Sequence, residues 1–504
     1  ALHRISSVYA VTALFALYAL LHAGAARLAG PTLALDDAKL NVVAQSFQRG
    51  YLPANPPLFE WLLILAQHVA GPGALGFALV KTAFFAAAGG FAYLAAKELL
   101  PNRLWAALCA LSLLLLFQFG WNYHQAFTHT TALIAATAFF WFALARLLRI
   151  GSMRDYALLG VALGVGLMAK YSFAGAALAA FAALALQREG RRALADPRLL
   201  LSLAIAALLL APHASWVAMN NTGLAEGMTA RLTEGGAEPH WRRAAQGVPS
   251  ALGVMIAFFL PLGLVAAALL RRTLPDLASA PSPGLRLARD AALIGAGGLL
   301  AAVVIVGMGR MEDRYVIPFL YPAVFVVAAA LARAPGERAN AKILAVCAAS
   351  FAAFCLGFKL ATVLRPGPPF CDDCRQFVAF EPLRDALAER GFDGEGTLVG
   401  FDETTAGNLR RLFPEARVLA WSLPAYAPPE APSGAPCFFV WSLDLGPAPP
   451  ETLLAGIGEA QAARVENLSR PLARERRRTE WTVAAIEPDG PIYDQTCARP
   501  RSSQ

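Results

Sequence analysis

The sequence predicts a polytopic membrane protein of all-α architecture, with about eleven transmembrane helices and a small α/β domain at its C-terminal end. Of its 504 residues, 57% are hydrophobic and 15% are charged, whereas about 25% are charged in a typical soluble protein. The mean hydropathy is +0.49. Beyond residue 363 the composition changes to short apolar stretches separated by Pro-rich segments such as "RPGPPF" and "APPEAPSGAP", which indicates a separate domain over 364–504.

Apolar runs recur throughout residues 1–363, which we assign to a transmembrane domain. They lie at 5–28, 75–96, 104–120, 126–145, 156–169, 172–186, 198–218, 248–270, 291–309, 316–333 and 341–363. The first run is not followed by a small-residue cleavage site, so we expect it to be retained as a helix.

Basic residues predict the orientation of these helices. With a cytoplasmic N-terminus, the cytoplasmic loops hold Lys97, Arg103, Arg146, Arg149, Arg154, Arg188, Arg191, Arg192, Arg198, Arg271, Arg272, Arg286, Arg289, Arg333, Arg338 and Lys342. The net charge of +8 therefore reflects topology, and we expect membrane lipids but no nucleic acid among the partners. An odd number of helices places the loop 29–74 and the C-terminal domain outside the cytoplasm.

Two adjacent acids lie in the outer loop 29–74, within "LALDDAKLNVVAQSFQRGYLPANPPLFEWL". One interpretation is that Asp36 caps a short helix and Asp37 lies in its first turn, where the helix dipole favours anions. The other is that the pair takes part in chemistry outside the cytoplasm. Capping does not exclude catalysis, so the pattern alone leaves both interpretations open.

The C-terminal domain contains strand and helix patterns. "GTLVGF", "ARVLAW", "CFFVWSL" and "EWTVAAI" predict buried strands, and "TTAGNLRRLF" and "ETLLAGIGEAQAARVE" predict helices. The glycines of "GFDGEGTLVG" are not followed by the start of a helix, so an ordinary turn is favoured over a nucleotide-binding loop.

Four cysteines also lie in this domain: Cys371, Cys374, Cys437 and Cys497. In an oxidising compartment they predict structural disulfides, with three possible connectivities. A redox-active "CDDC" would need a preceding strand and a helix beginning at its first cysteine, neither of which the sequence indicates. A zinc site is the third interpretation and fits an extracytoplasmic domain less well.

Motifs along the transmembrane domain carry a family resemblance. The first outer loop contains "LDDAKLN" and then "NPPLFEWL", and later segments read "FALVKTAFF", "LGVGLMAKYSF" and "EDRYVIPFLYP". Over residues 1–363 these motifs resemble the GT-C class of polyprenyl-phosphate-sugar-dependent glycosyltransferases, which includes protein O-mannosyltransferases and the bacterial lipid A aminoarabinose transferase. The matching positions are Asp36, Asp37, Lys39, Pro56, Pro57, Leu58, Lys81, Lys170, Arg314, Tyr315, Pro318 and Pro322.

The chain also departs from this pattern. The aminoarabinose transferases usually have Glu-Lys before the Pro-Pro, where this chain has Ala54 and Asn55. A glycine that usually follows the membrane lysine is replaced by Tyr171, and "GWNYHQAFTHTTA" adds His124 and His129. We therefore expect a related subgroup with a different sugar or acceptor.

The resemblance implies transfer of a sugar from a polyprenyl-phosphate donor to a lipid or protein acceptor, in a bacterial inner membrane and on its periplasmic face. Such a reaction needs a carboxylate near the acceptor oxygen and cations on the leaving phosphate. Asp36 is the predicted catalytic carboxylate of an inverting transfer, and Asp37 orients substrate. The predicted phosphate ligands are Lys39, Lys81, Lys170, Arg310, Arg314 and Tyr315, and the predicted substrate contacts are Tyr51, Asn55, His124, His129 and Tyr171.

Simpler structural roles are open for several of these residues. Lys81 and Lys170 can snorkel to the membrane interface, and the segment from Arg310 to Arg314 can be a solvated turn of local ion pairs. His124 and His129 are five positions apart with no acid nearby, so hydrogen-bonded polar residues are favoured over a metal site. The sequence predicts no cofactor and leaves dependence on a divalent metal open.

Other functions of a polytopic membrane protein were weighed. A carrier-lipid-dependent glycan ligase or polymerase would act on the same face of the membrane and is the nearest alternative enzyme. A secondary transporter would place its ionisable residues near the bilayer midplane, whereas here they cluster at the predicted outer ends of the helices. The sequence therefore favours an enzyme over a transporter or a membrane-anchored binding protein.

Overall fold

The computed structural model describes residues 6–125, 127–220, 233, 238–270, 282–365, 375–423, 426, 429–430, 435–445, 448–457, 462–469, 477–486, 493 and 496–497. Its helices are α1 (Val8–Arg27), α2 (Leu35–Val43), α3 (Leu58–Ala70), α4 (Ala74–Leu99), α5 (Arg103–Ser112), α6 (Phe117–Gly120), α7 (His129–Arg149), α8 (Met153–Ala169), α9 (Ser172–Leu186), α10 (Arg188–Leu194), α11 (Leu199–Asn220), α12 (His240–Leu270), α13 (Pro283–Val306), α14 (Asp313–Leu320), α15 (Ala323–Arg333), α16 (Glu337–Leu364), α17 (Pro382–Ala388), α18 (Glu403–Leu412) and α19 (Glu451–Ile457).

The helices confirm a multi-pass membrane protein. Each of the eleven apolar runs in the sequence coincides with a helix or with a pair of helices separated by a sharp bend. Within the described ranges, seven helices are long and apolar enough to cross a bilayer, or up to nine if each bent pair is one span. The bends are 79° before Phe117 and 58° between α14 and α15. Because α8 and α9 have only 17 and 15 residues, the count of eleven spans stays a prediction.

The chain divides into two compact units, which are described separately. The helical unit comprises residues 1–19, 53–58 and 81–355, and the composite unit comprises residues 20–52, 59–80 and 356–504. The composite unit thus contains most of the 29–74 loop together with the C-terminal sheet. The sequence-based domain boundary between residues 363 and 364 stays a prediction.

Small residues allow the helices of the helical unit to approach closely. A Cβ added at Gly160 of α8 would lie 2.6 Å from the Ser202 main-chain oxygen of α11. The Ser202 hydroxyl donates to the Tyr156 carbonyl oxygen at 2.6 Å. Close packing of this kind is typical of helices in membranes, and it holds the first half of α8 against α11.

The composite unit contains a five-stranded sheet. Its strands are β1 (Thr397–Gly400), β2 (Arg417–Ala420), β3 (Cys437–Trp441), β4 (Ala462–Ser469) and β5 (Arg477–Ile486), in the order β2-β1-β3-β5-β4. The first three are parallel, and β5 is antiparallel to both β3 and β4. All four strands predicted from the sequence are present, and the predicted helix over "TTAGNLRRLF" is α18.

One predicted element of this domain was wrong in part. The stretch "ETLLAGIGEAQAARVE" was expected to be one helix, but α19 ends at Ile457 and β4 begins at Ala462. Pairing with β5 along the full length of β4 overrides the helical spacing, because tertiary context dominates weak local preferences.

A disulfide joins Cys437 in β3 to Cys497, which confirms that this domain holds a structural disulfide. The other predicted cysteine pair, Cys371 and Cys374, lies outside the described residues. The glycines of "GFDGEG" form a turn in which Gly391, Gly394 and Gly396 have positive φ, as the ordinary-turn interpretation requires.

Candidate active site

The paired acids lie in the first turn of α2, in the composite unit. The helix begins at Leu35, and its N-cap is Ala34, which makes no side-chain capping bond. Asp36 is therefore not the N-cap, and the capping interpretation does not apply to it. Both carboxylates are half-buried and lie where the positive end of the helix dipole favours negative charge.

The backbone immediately before the acids is strained. Leu35 has φ +52° and is the one non-glycine residue with positive φ among those the structure describes. A left-handed conformation is unfavourable for a bulky residue and persists only where the surrounding contacts fix it. Its side chain is 55% exposed, so burial of the leucine does not compensate for the strain.

Lys39 lies one turn further along α2 and is paired. Its Nζ donates to Glu403 Oε1 of α18 at 3.0 Å, and the two side chains are 23% and 32% exposed. The predicted phosphate ligand thus lies beside a carboxylate.

Tyr51 and Asn55 follow in the 44–57 segment. Tyr51 is 1% exposed, and its hydroxyl accepts from the Gln48 N–H at 3.1 Å and donates to the Ser46 carbonyl oxygen at 2.9 Å. Burial raises the pKa of this hydroxyl. Tyr51 therefore stabilises the turn that follows α2, whereas Asn55 is half-buried in the short part of this segment that belongs to the helical unit.

In the helical unit, Lys170 lies at the break between α8 and α9. Its backbone is extended, and its Nζ donates to Thr130 Oγ1 at 2.9 Å. Thr130 is in the first turn of α7, next to the buried His129. An ammonium group and the first N–H groups of a helix both favour a bound anion.

Tyr171 and His124 contact neighbouring aromatic or histidine side chains. The Tyr171 hydroxyl lies 2.7 Å from His213 Nε2, and His213 stacks on Trp216 with ring centroids 5.8 Å apart. The His124 ring packs edge-on against Tyr18 at 5.0 Å and Phe85 at 4.9 Å. Lys81 is half-buried, and its carbonyl oxygen accepts from the Tyr123 hydroxyl at 2.8 Å.

The Arg-Tyr motif begins α14. Asp313 accepts a hydrogen bond from Asn122, and the Arg314 guanidinium lies 5.8 Å from the centroid of the Tyr315 ring. Arg310 is different, because its side chain is 84% exposed and lies 3.6 Å from Glu312. A solvated pair of this kind contributes at most about 1 kcal/mol, so the turn interpretation fits Arg310 better than it fits Arg314.

No cluster of three or more metal-binding His, Cys, Asp or Glu side chains is present in the part of the chain that the structure describes. The predicted site residues are divided between the two units. The composite unit contains the catalytic candidates Asp36 and Asp37 together with Lys39 and Tyr51, and the helical unit contains Asn55, Lys81, His124, His129, Lys170, Tyr171, Arg310, Arg314 and Tyr315.

Sequence reasoning missed a group of residues that hold α2. Asn408 and Arg410 of α18 bond to the main chain on either side of the acids, and Gln45 pairs with Val418 of β2. The sequence signals only that "TTAGNLRRLF" is helical. No local pattern in the sequence indicates that residues of α18 bond to residues 366 to 375 positions earlier in the chain.

Comparison with known proteins identifies relatives along most of the chain. Residues 54–216 match the family model described as dolichyl-phosphate-mannose-protein mannosyltransferase. The lipopolysaccharide core galacturonosyltransferase RgtA of Rhizobium johnstonii is 29% identical over 423 residues, which cover 81% of this chain and 82% of that protein. RgtB of the same organism, named for the same activity, is 26% identical over 441 residues, with 86% and 87% coverage.

Solved structures share the fold. The crystal structure of ArnT from Cupriavidus metallidurans bound to undecaprenyl phosphate matches with a TM-score of 0.58 and 16% identity, over 94% of this chain and 97% of ArnT. The same enzyme without ligand gives a TM-score of 0.57. At this identity the match shows a shared fold, and it confirms the predicted combination of a helical membrane part with a small C-terminal sheet.

Proposed function

We propose that this chain, which is a membrane glycosyltransferase of the GT-C class, transfers galacturonic acid from a polyprenyl-phosphate carrier to the core of lipopolysaccharide. The proposed sugar and acceptor rest on one observation. RgtA and RgtB both match more than four fifths of the chain, and both are named for this activity. Binding of undecaprenyl phosphate by ArnT, which shares the fold, supports the carrier.

The reaction we propose is a single displacement at the anomeric carbon. The acceptor hydroxyl oxygen bonds to that carbon, the bond from the carbon to the carrier phosphate breaks, and the configuration inverts. Asp36 accepts the proton of the hydroxyl as the new bond forms. Asp37, which shares the first turn of α2, orients the acceptor or a neighbouring hydroxyl.

The leaving group is the carrier phosphate, which gains charge as the bond breaks and needs cations. Lys170 is the best supported ligand, since its ammonium group lies at the first turn of α7 and both features favour an anion. Arg314 is half-buried at the start of α14 and is the second. Lys81 and Lys39 remain in the proposal, whereas the exposure of Arg310 makes it the weakest of the set.

We place the reaction on the periplasmic side of a bacterial inner membrane. Basic residues in alternate loops support this orientation of the helices. The disulfide between Cys437 and Cys497 supports it independently, because disulfides persist in oxidising compartments.

Transfer by the purified protein in proteoliposomes tests the proposal. The membranes would contain polyprenyl-phosphate-linked galacturonic acid and lipopolysaccharide lacking galacturonic acid on its core. We expect mass spectrometry to show the core gaining one uronic acid residue while free polyprenyl phosphate appears. A reaction with aminoarabinose but not galacturonic acid would overturn the proposed sugar, and movement of donor across the bilayer with no covalent product would overturn transfer itself.

A further inference from the structure

We infer that α18 is a clamp that positions the Asp36–Asp37 turn for catalysis, with Asn408 and Arg410 as positioning residues. The inference rests on the proposed function in one respect, namely that Asp36 is the catalytic carboxylate. The contacts that carry it all lie within the composite unit.

Asn408 holds the chain just before α2. Its Oδ1 accepts from the Leu33 N–H at 2.9 Å, and its Nδ2 donates to the Leu33 carbonyl oxygen at 2.8 Å. The Asn408 side chain thus pairs with both main-chain groups of one residue, as a neighbouring strand would. It is fully buried, where unmade hydrogen bonds are costly, so Leu33 is fixed in position and direction.

Gly407 sets the distance between the two helices. A Cβ added at this residue would lie 2.2 Å from the Ala38 carbonyl oxygen, so a side chain here would force α18 and α2 apart. Asn41 Nδ2 donates to the Gly407 carbonyl oxygen at 2.8 Å. The middle of α2 therefore rests directly on the backbone of α18.

Arg410 holds the C-terminal end of α2. Its guanidinium donates from Nη1 to the Asn41 carbonyl oxygen and from Nη2 to the Ala44 carbonyl oxygen at 2.8 Å. These oxygens lie at the negative end of the helix dipole, which favours a cation. Arg410 is 8% exposed, and burial lowers its pKa to about 10, which leaves it charged at neutral pH.

The clamp is itself fixed to the sheet. Asp402 follows β1 by two residues, and its carboxylate accepts from the N–H groups of Thr404 and Thr405 at 2.8 and 2.9 Å, which caps the start of α18. The Gln45 amide accepts from the Val418 N–H at 2.8 Å and donates to its carbonyl oxygen at 2.6 Å. The position of the sheet is thereby transmitted to both ends of α2.

This arrangement explains how the turn keeps its strained geometry. Leu35, with φ +52°, lies between Leu33, which Asn408 holds, and the helix body, which Gly407 and Arg410 hold. With both sides fixed, the backbone at Leu35 cannot relax without breaking buried hydrogen bonds. Release of either side would let Asp36 move, and a displacement of about 1 Å can reduce turnover about 100-fold.

Two variants and a matched control test the clamp. Arg410→Lys keeps the charge but cannot reach both carbonyl oxygens, and Asn408→Asp keeps the shape but cannot donate to Leu33. We expect each to lower kcat about 10- to 100-fold with the donor KM unchanged. Arg417→Lys is the control. Arg417 is 7% exposed, about as buried as Arg410, but it donates to the carbonyl oxygens of Pro429 and Cys497. The Arg417→Lys variant should have lower thermal stability and an unchanged kcat.

A double variant separates positioning from general destabilisation. If Arg410 acts through Asp36, Asp36→Asn combined with Arg410→Lys should be no slower than Asp36→Asn alone. Independent, multiplying losses would overturn the clamp. Hydrogen exchange over residues 33–45 should accelerate in both single clamp variants, and unchanged exchange would also overturn it.

The same experiment distinguishes this inference from the proposed function. Full transfer by Asp36→Asn would remove the catalytic assignment, whatever the clamp variants do. Loss of transfer in Asp36→Asn together with normal kcat in Arg410→Lys and Asn408→Asp would leave the proposed function standing and remove the clamp.

Discussion

Lys39 Nζ lies 3.0 Å from Glu403 Oε1, although the two residues are 364 positions apart in the sequence. Each side chain is about a quarter to a third exposed, so the pair is partly buried but still reached by solvent. We therefore expect that the ammonium group can exchange Glu403 for the phosphate of the proposed donor.

The first prediction concerns this pair. Lys39→Ala should weaken binding of polyprenyl phosphate by about 1.5–3 kcal/mol, the value of a charge-assisted hydrogen bond, whereas Glu403→Gln should not weaken it. Titration of each purified variant with the carrier lipid measures both effects. Equal, small losses of thermal stability with unchanged binding would make the pair purely structural.

The second prediction concerns Asp36→Asn. Because Ala34 is the N-cap, the substitution removes only a favourable charge from the first turn, which costs about 0.3–1 kcal/mol. Turnover should fall by about 10²–10⁴, the usual contribution of general acid–base catalysis. Steady-state transfer assays measure it, with Asp37→Asn as the comparison expected to lose less. Full turnover in a folded Asp36→Asn protein would contradict the assignment.

The third prediction concerns the lysine at the break between α8 and α9. Lys170→Met should reduce affinity for the carrier phosphate by about 1.5–3 kcal/mol, since it removes the cation beside the first turn of α7. Lys342→Met is the control, because Lys342 is an exposed lysine in the first turns of α16. If both variants bind the carrier as tightly as the unmodified protein does, Lys170 lies at the membrane interface without binding the phosphate.

The fourth prediction concerns Leu35. Left-handed backbone in a bulky residue costs about 1–3 kcal/mol, and glycine removes that cost at an entropic penalty of about 0.5–1 kcal/mol. Leu35→Gly should therefore stabilise the protein by about 1 kcal/mol, seen as a higher apparent Tm in detergent. Leu62→Gly, at a partly exposed position of α3, should lower the Tm. A lower Tm for Leu35→Gly would show that the leucine is not strained.

The fifth prediction concerns the disulfide. Its sequence separation is 60 residues, for which chain entropy gives a stabilisation of about 4 kcal/mol. Replacing Cys437 and Cys497 by alanine should lower the Tm, and thiol reagents should not label these two residues in the unreduced native protein. Cys371 and Cys374 are also expected to be unlabelled. Ready labelling of Cys437 or Cys497 would contradict an oxidised, extracytoplasmic domain.

Local pattern in the sequence was sufficient for most of the fold. The apolar runs predicted the membrane helices because a bilayer demands long, uncharged, internally bonded segments. Alternation and length predicted four strands and α18. The pattern failed at β4, where pairing with β5 outweighed helical spacing. The runs at 156–169 and 172–186, in contrast, predicted α8, α9 and the break between them at Lys170.

The sequence and the tertiary structure each determined a different part of the candidate site. The sequence alone supplied the residue types that the proposed transfer requires: two adjacent acids, a lysine one turn later, and an Arg-Tyr motif. Only the tertiary structure decided that Ala34 rather than Asp36 is the N-cap of α2, that Lys39 is paired with Glu403, and that Asn408 and Arg410 hold the acidic turn. Those contacts join residues more than 360 positions apart, and no local preference of the chain encodes a partner at that distance, because the energy of such a contact exists only once both segments are folded.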